Sequence, residues 1–395
     1  MILFLVLLFL ITGTIFSADP NIYIFSLVIG CFLVVFNEWL KYGKNFILSP
    51  LSFFTVSYLY IYISGSIQAT PYSETRFLYI SSYFGFLIGW MFTKHRLNFL
   101  NIILPIKKLS LRLGLVLLFI LSYIGLYHVP SISYLTLILL HLISSIHLMN
   151  ERIRILKVFN ILLTITFSFL LGKIVVLRYL IILIFIKEFK GKLNFYKIVV
   201  YTFVSLIVFV AFNLRRYNLE GNSSYINLSL LQIIEPSNFL RILTSGSDYI
   251  KTINTLVTSD LMEIYQFGST YISGFLKFFP NKLFFLRPPS GNAIINLILD
   301  KNYTYNSSTT AATFVGELYI NFGYFSIIGA FIIGVSQKLL WNTLTQIQTK
   351  YLPLYLSFFY SMQFSLVRDD FNIAFGTFLI YTLGLSLIIS KNSKT

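Results

Sequence analysis

Glu317, Asn321 and Tyr324 stand at the i, i+4, i+7 spacing of one helical face, at the start of the apolar run 312–336. That face carries a carboxylate, an amide and a phenol. The place of Glu317 near a helix N-terminus suits a plain capping role as well as a functional one. The second group of chemistry-bearing residues is cationic. Arg178 falls inside the apolar run 174–187, where a charge must face protein or water, and Lys173 stands just above it. Arg215 and Arg216 follow directly on an apolar run, and Arg287 precedes Pro288-Pro289. A planar guanidinium forks onto phosphate oxygens, and a rigid neighbour fixes where it points. Arg241, Lys251, Lys277, Lys282 and Lys301 share this stretch, and anchoring to anionic headgroups accounts for such cations as readily as catalysis does.

Other chemistries find little footing. No His/Cys/Asp cluster has metal-ligand spacing, no glycine-rich phosphate loop is present, and no Gly-x-Ser-x-Gly elbow occurs. No cofactor is expected. Of the histidines, only His128 falls on the same side as the candidates above. His95 sits in a basic loop, and His141 and His147 lie toward the other side. The single cysteine, Cys31, is inside an apolar run and reads as a structural thiol.

The elements that must position these residues are membrane helices. With 56% hydrophobic residues, 11% charged residues and a mean hydropathy of +0.78, too little polar surface remains to cover a soluble globule. The formal charge of +16 does not point to nucleic acid, because the basic residues gather at the ends of apolar runs rather than along one stripe. Apolar runs occur near 1–18, 21–40, 46–65, 77–93, 113–129, 131–149, 155–171, 174–187, 197–213, 312–336, 352–367 and 371–390, about twelve spans. Residues 1–18 read as a retained first span rather than a cleaved leader. Lysines and arginines crowd alternate loops, including Lys41–Lys44, Lys94–Arg112, Lys187–Lys197, Lys338–Lys350 and Lys391–Lys394. The other loops hold Asp19-Pro20, Glu74 with Arg76, Gly172-Lys173 and Arg368-Asp369-Asp370. The positive-inside rule then puts both termini in the cytoplasm and the long segment 214–311 outside. The chain divides into N-terminal spans over 1–213, the external segment 214–311, and C-terminal spans over 312–395. Within the segment, Phe267, Tyr271, Phe275, Phe278 and Phe279 recur near helical spacing, which predicts an amphipathic helix on the outer surface. Pro236, Pro280 and Pro288-Pro289 break it, and 290–313 turns polar.

This arrangement resembles the bacterial O-antigen or capsular repeat-unit polymerases. The resemblance covers the whole chain in layout. In motif it covers 265–334, with Gly316-Glu317-x-Tyr319-x-Asn321-Phe322-Gly323 and Gly329 preceded by Phe267-Gly268-Ser-Thr-Tyr271, Phe279-Pro280 and Arg287-Pro288. A spaced Arg–Gly loop pattern of some members is absent, and those sites are not carried over. The resemblance implies an all-α integral membrane enzyme of the bacterial inner membrane with one large external loop. It implies transfer of a growing glycan from undecaprenyl diphosphate to the terminal sugar hydroxyl of a new repeat unit, without metal or cofactor. Glu317, Arg287 and Arg216 would be catalytic, Glu317 being the first candidate for the base that takes the proton of the attacking hydroxyl, with Asp248 and Asp260 as alternatives. Arg178, Arg215, Lys173, Tyr319, Asn321 and Tyr271 would bind substrate, the aromatic rings against sugars. The implied partners are the lipid-linked glycan, membrane lipids, a chain-length regulator and a flippase, with no nucleic acid. The O-antigen ligases share the lipid donor and the external loop. A flippase or other transporter is the rival from a different class, although the two halves of the chain show no internal repeat.

Overall fold

The structure is a computed structural model, and it describes residues 2–16, 18–43, 49–94, 249–259, 265–276, 288–299, 311–346 and 351–388. Among these every regular element is helical. In chain order they are α1 (Ile2–Ile15), α2 (Pro20–Tyr42), α3 (Pro50–Gln68), α4 (Ser73–Phe92), α5 (Tyr249–Thr258), α6 (Ser269–Phe275), α7 (Gly291–Leu299), α8 (Thr313–Phe322), a 3-10 turn (Gly323–Phe325), α9 (Ser326–Leu344), α10 (Leu352–Arg368) and α11 (Phe371–Ile388). The apolar runs near 1–18, 21–40, 46–65, 77–93, 312–336, 352–367 and 371–390 coincide with α1, α2, α3, α4, α8–α9, α10 and α11. Two stretches, Pro20–Tyr42 and Thr313–Leu344, are long and apolar enough to cross a membrane. The runs between 113 and 213 lie outside the described residues.

The chain forms two compact units. One holds Met1–Leu97, Gly246–Thr343 and Met362–Thr377; the other holds Asn98–Ser245, Leu344–Ser361 and Phe378–Thr395. In the second, the described core is aromatic, with the Phe358 and Tyr381 rings 4.8 Å apart.

In the first unit, small residues let α4 and α9 meet backbone to backbone. A methyl placed on Gly85 would come within 2.3 Å of the Ile327 carbonyl oxygen, one on Gly89 within 2.2 Å of that of Phe331, and one on Gly334 within 2.2 Å of that of Phe86. Such an approach is the means by which apolar helices associate without a hydrophobic drive between them. Beside this seam lies a cluster of buried rings. Phe54 and Phe86 stack 3.7 Å apart, and Phe314 of α8 meets Phe54 edge-on at 5.7 Å.

Polar side chains gather at the two ends of the bundle. At one end Asp19 caps α2 by accepting from the Asn21 and Ile22 amides at 2.8 and 3.3 Å, with Pro20 in the first turn. The turn before it is held by Arg76, whose Nη2 donates to the Ala18 carbonyl at 2.7 Å. Asn254 of α5 clamps the α3–α4 turn. It accepts from the Tyr72 amide and the Thr75 hydroxyl at 3.1 and 2.7 Å and donates to the Thr70 carbonyl at 2.9 Å. Loops that charge assigns to one side, at 19, 70–76 and 249–258, thus touch one another. The opposite end carries Glu38, Lys41 and Lys338, the last over the Trp90 ring at 5.1 Å.

Candidate functional site

Glu317 lies in the second turn of α8 and is 2% exposed. Its Oε1 accepts from the Thr270 hydroxyl of α6 at 2.7 Å, and its Oε2 from the Phe371 amide of α11 at 2.5 Å. Gly291, the first residue of α7, packs against the carboxyl, and a methyl there would stand 3.2 Å from the carboxyl carbon. Side chain and backbone from α6, α7 and α11 therefore close around one carboxylate of α8.

Asn321, one turn later, sets the direction of the protons. Its Oδ1 accepts from the Gly268 amide at 2.8 Å, so its nitrogen must face the other way. That nitrogen donates to the Thr270 oxygen at 2.7 Å and to the Glu317 carbonyl at 2.8 Å. Having accepted from Asn321, the Thr270 hydroxyl gives its hydrogen to Glu317. The network thus offers the Glu317 carboxyl a hydroxyl and a backbone amide as donors. Asn321 is 1% exposed and both amide hydrogens are engaged, which assigns it to holding the turn at 266–270 rather than to a sugar.

A second carboxylate shares the same helix N-terminus. Asp370 caps α11, its Oδ1 accepting from the Ile373 amide at 2.8 Å, and its Oδ2 accepts from the Asn292 amide of α7 at 3.1 Å. Asp370 lies within Coulomb reach of Glu317. No lysine or arginine among the described residues is within ion-pair distance of either carboxylate. The positive field they share comes from the first turn of α11, two of whose amides point at them. The outer turns are tied in too. Asn292 Oδ1 accepts from the Ala312 amide at 2.5 Å, and Ser290 Oγ caps α7 by accepting from the Ala293 amide at 3.3 Å.

The sequence-based candidates separate cleanly. Glu317, Asn321 and Tyr271 come together. The Tyr271 hydroxyl is buried in the field of Glu317, and its ring meets Phe371 edge-on at 5.0 Å. Tyr319 is buried but turned away, its ring 5.6 Å from that of Tyr324. Tyr324 does not continue the Glu317–Asn321 face, because α8 stops at Phe322 and Gly323 turns the chain with φ +56°. The tight packing of the Tyr265 ring on Gly323 leaves no room for a side chain there. Arg287, Arg216, Arg215, Arg178, Lys173, Asp248, Asp260 and the four histidines lie outside the described residues. The amphipathic helix expected over 264–279 is described only over α6, Ser269–Phe275. Thr270, Ser273 and Gly274 face inward, while Phe267, Ile272 and Phe275 are exposed.

Thr270 and Asp370 are the site residues that sequence reasoning passes over. Thr270 was visible only as a member of the Gly268–Tyr271 motif. Asp370 carried a signal of its own, Asp followed by an apolar run, which is a helix N-cap pattern. Among the described residues no group of three His, Cys, Asp or Glu side chains is placed to hold a metal ion. Comparison of the chain with protein-family models, with curated proteins and with solved structures finds no match.

Proposed function

We propose that the protein is a membrane glycosyltransferase that polymerises undecaprenyl-diphosphate-linked oligosaccharide repeat units at the outer face of the bacterial inner membrane. In this reading about twelve spans carry one large external segment over 214–311. The observation that supports it is the Glu317 site: a buried carboxylate on a membrane-length apolar helix, closed over by α6 and α7 of the long segment, without a cationic partner among the described residues. A carboxylate in such surroundings is costly and is normally kept for function.

The reaction breaks the bond between the anomeric carbon of the growing glycan and its diphosphate. It forms a glycosidic bond to the terminal hydroxyl of the next repeat unit. Glu317 takes the proton of that hydroxyl through a lone pair left free by its two present donors. Arg287 and Arg216, with Arg178, Arg215 and Lys173, meet the charge that develops on the departing diphosphate. Tyr271, half-buried beside the site, offers its ring to a sugar. The lipid diphosphate is itself the leaving group, so the reaction calls on no cofactor.

One observation favours a second reading, transport of the lipid-linked glycan. Two carboxylates meet at one helix N-terminus beside a helix interrupted at Gly323, as in sites that couple ions to transport. Deleting the gene separates the two. The polymerase reading expects single repeats on the surface lipid in place of a ladder of lengths, restored by the wild-type gene. Loss of all surface glycan would favour transport or ligation, and an unchanged ladder would end the polymerase reading. Arg287→Ala and Arg216→Ala should each abolish the ladder with the protein still present in the membrane.

A further inference from the structure

Residues 267–275 present apolar side chains that the described protein leaves largely uncovered, Phe275 resting on one side against Phe375. Phe267 is 87% exposed, and Ile272 and Phe275 are each 53% exposed. Phe267 is also held at φ +45°, a left-handed conformation that an aromatic residue rarely adopts. The pins that hold it are strong. The Gln266 amide donates to the Ile320 carbonyl at 3.0 Å, the Gly268 amide to Asn321 at 2.8 Å, and the Ser269 hydroxyl to the Gln266 side chain at 2.9 Å. Strain maintained by so many contacts marks a turn built to point Phe267 outward.

The level of this turn along α8–α9 identifies what it points into. Thr313–Leu344 is an apolar stretch of 32 residues, α8 and α9 joined through the turn at Gly323–Phe325, against a hydrocarbon layer of about 30 Å. One boundary is marked by Lys338, half-buried with its ammonium group over Trp90, the pairing expected where a helix leaves the hydrocarbon. From Lys338 back to Ser326, the first residue of α9, is about 18 Å of helix, which leaves the turn at Gly323–Phe325 within the layer. Residues 265–268 are fastened beside this turn, to Ile320, Asn321 and Gly323. Tyr324 and Phe325, exposed at 49% and 71%, occupy the same level. A non-helical turn survives there only if its backbone is satisfied by protein, which is what Ile320 and Asn321 do.

We propose that residues 265–276 are seated in the bilayer leaflet, the face formed by Phe267, Ile272 and Phe275 covered by lipid acyl chains. The Glu317 network then sits directly beneath a face that lipid covers, since Thr270 on the inward side of α6 donates to it. The inference rests on 313–344 crossing the membrane and not on the proposed reaction, so it stands or falls separately from the glycan ladder. Cys31 is the only cysteine of the chain, so a Cys31→Ala background allows single-site spin labelling. Labels at Phe267→Cys and Ile272→Cys, in vesicles of phosphatidylethanolamine and phosphatidylglycerol, would be compared for collision with oxygen and with a water-soluble nickel chelate. Glu74→Cys, exposed at the start of α4, serves as the reference in water, and Phe32→Cys on the exposed face of α2 as the reference in lipid. The expected oxygen-to-nickel ratio at both test sites is about tenfold above that at Glu74 and close to that at Phe32, as for a face buried 5–10 Å in the interface. A ratio equal to that at Glu74 would place the segment in water. Exclusion of both reagents would mean that protein covers the face. Either result overturns the proposal. Should Phe267→Cys fail to insert because of its backbone conformation, Ile272→Cys gives the same reading from a regular helical position.

Discussion

Among the described residues of the first unit two glutamates are buried, and they are provided for in opposite ways. Glu38 is 5% exposed at the basic end of the bundle. Lys41 Nζ lies 3.1 Å from its Oε1, the Ser49 hydroxyl donates to its Oε2, and Lys338 is within Coulomb reach. Glu317, 2% exposed, has a hydroxyl, a backbone amide, a helix N-terminus and a second carboxylate as its surroundings. The first is a charge paired where it sits, and its hydrogen bond from Ser49 ties the end of α2 to the start of α3. The second is kept ionisable without being neutralised, a less stable arrangement that structural needs alone do not explain. Partner type rather than burial therefore separates the structural carboxylate from the candidate catalytic one.

The largest expected effect comes from removing each charge without changing its shape. Glu317→Gln should reduce polymerisation about 10²–10⁴-fold, the range of a lost general base, leaving single repeats in place of a ladder. Glu38→Gln should leave the ladder unchanged. Gel profiles of surface glycan from complemented deletion strains check both, with membrane levels of the protein measured alongside. A full ladder from Glu317→Gln would reduce that residue to a cross-link among α6, α8 and α11.

Part of this was readable from the chain. Among the described residues the apolar runs are helices, the form in which a chain satisfies its own backbone polar groups away from water, and two stretches are long enough to cross a membrane. Glu317 and Asn321, four residues apart, do share a face, and the Asn321 amide donates to the Glu317 carbonyl. The pattern failed at Tyr324, where Gly323 at φ +56° ends the helix that the spacing assumed. At α6 the inward side is chosen by hydrogen bonds between Thr270 and Glu317 and Asn321, 47 and 51 positions away, which no local pattern could supply. Periodicity reports which residues share a face. It does not report whether that face meets protein or lipid, and in a membrane both are apolar. Asp370 and its amide partner on Asn292, 78 residues apart, belong to the same class of non-local information.

Asn321→Ala sharpens the comparison from the side of the scaffold. The substitution removes three hydrogen bonds, leaving the buried Thr270 and Gly268 groups short of a partner, and should cost about 2–4 kcal/mol. The effect should be local, with faster amide exchange over 265–276 and no change around Glu38. Equal loosening at both ends would show that the two carboxylates belong to one cooperative structure. Gly334→Val acts on the helices that carry both sites. Its side chain would run into the Phe86 carbonyl oxygen, backbone that cannot yield, at a cost of roughly 1–3 kcal/mol. Thermal unfolding in detergent should fall while the ladder made per folded molecule persists, the converse of the result expected for Glu317→Gln.

The smallest effect tests the Glu38 side of the comparison. Lys41 is 56% exposed, so its ion pair works in high dielectric and is offset by the entropy of ordering a long side chain. Exchange for methionine keeps most of the apolar stem and removes only the charge. Glu38 retains the Ser49 donor and the field of Lys338, so Lys41→Met should change stability by less than about 1 kcal/mol, with a normal ladder. A loss of several kcal/mol would mean that Lys41 alone compensates a buried charge. Glu38 would then be as precariously held as Glu317, and the type of partner would no longer tell the two carboxylates apart.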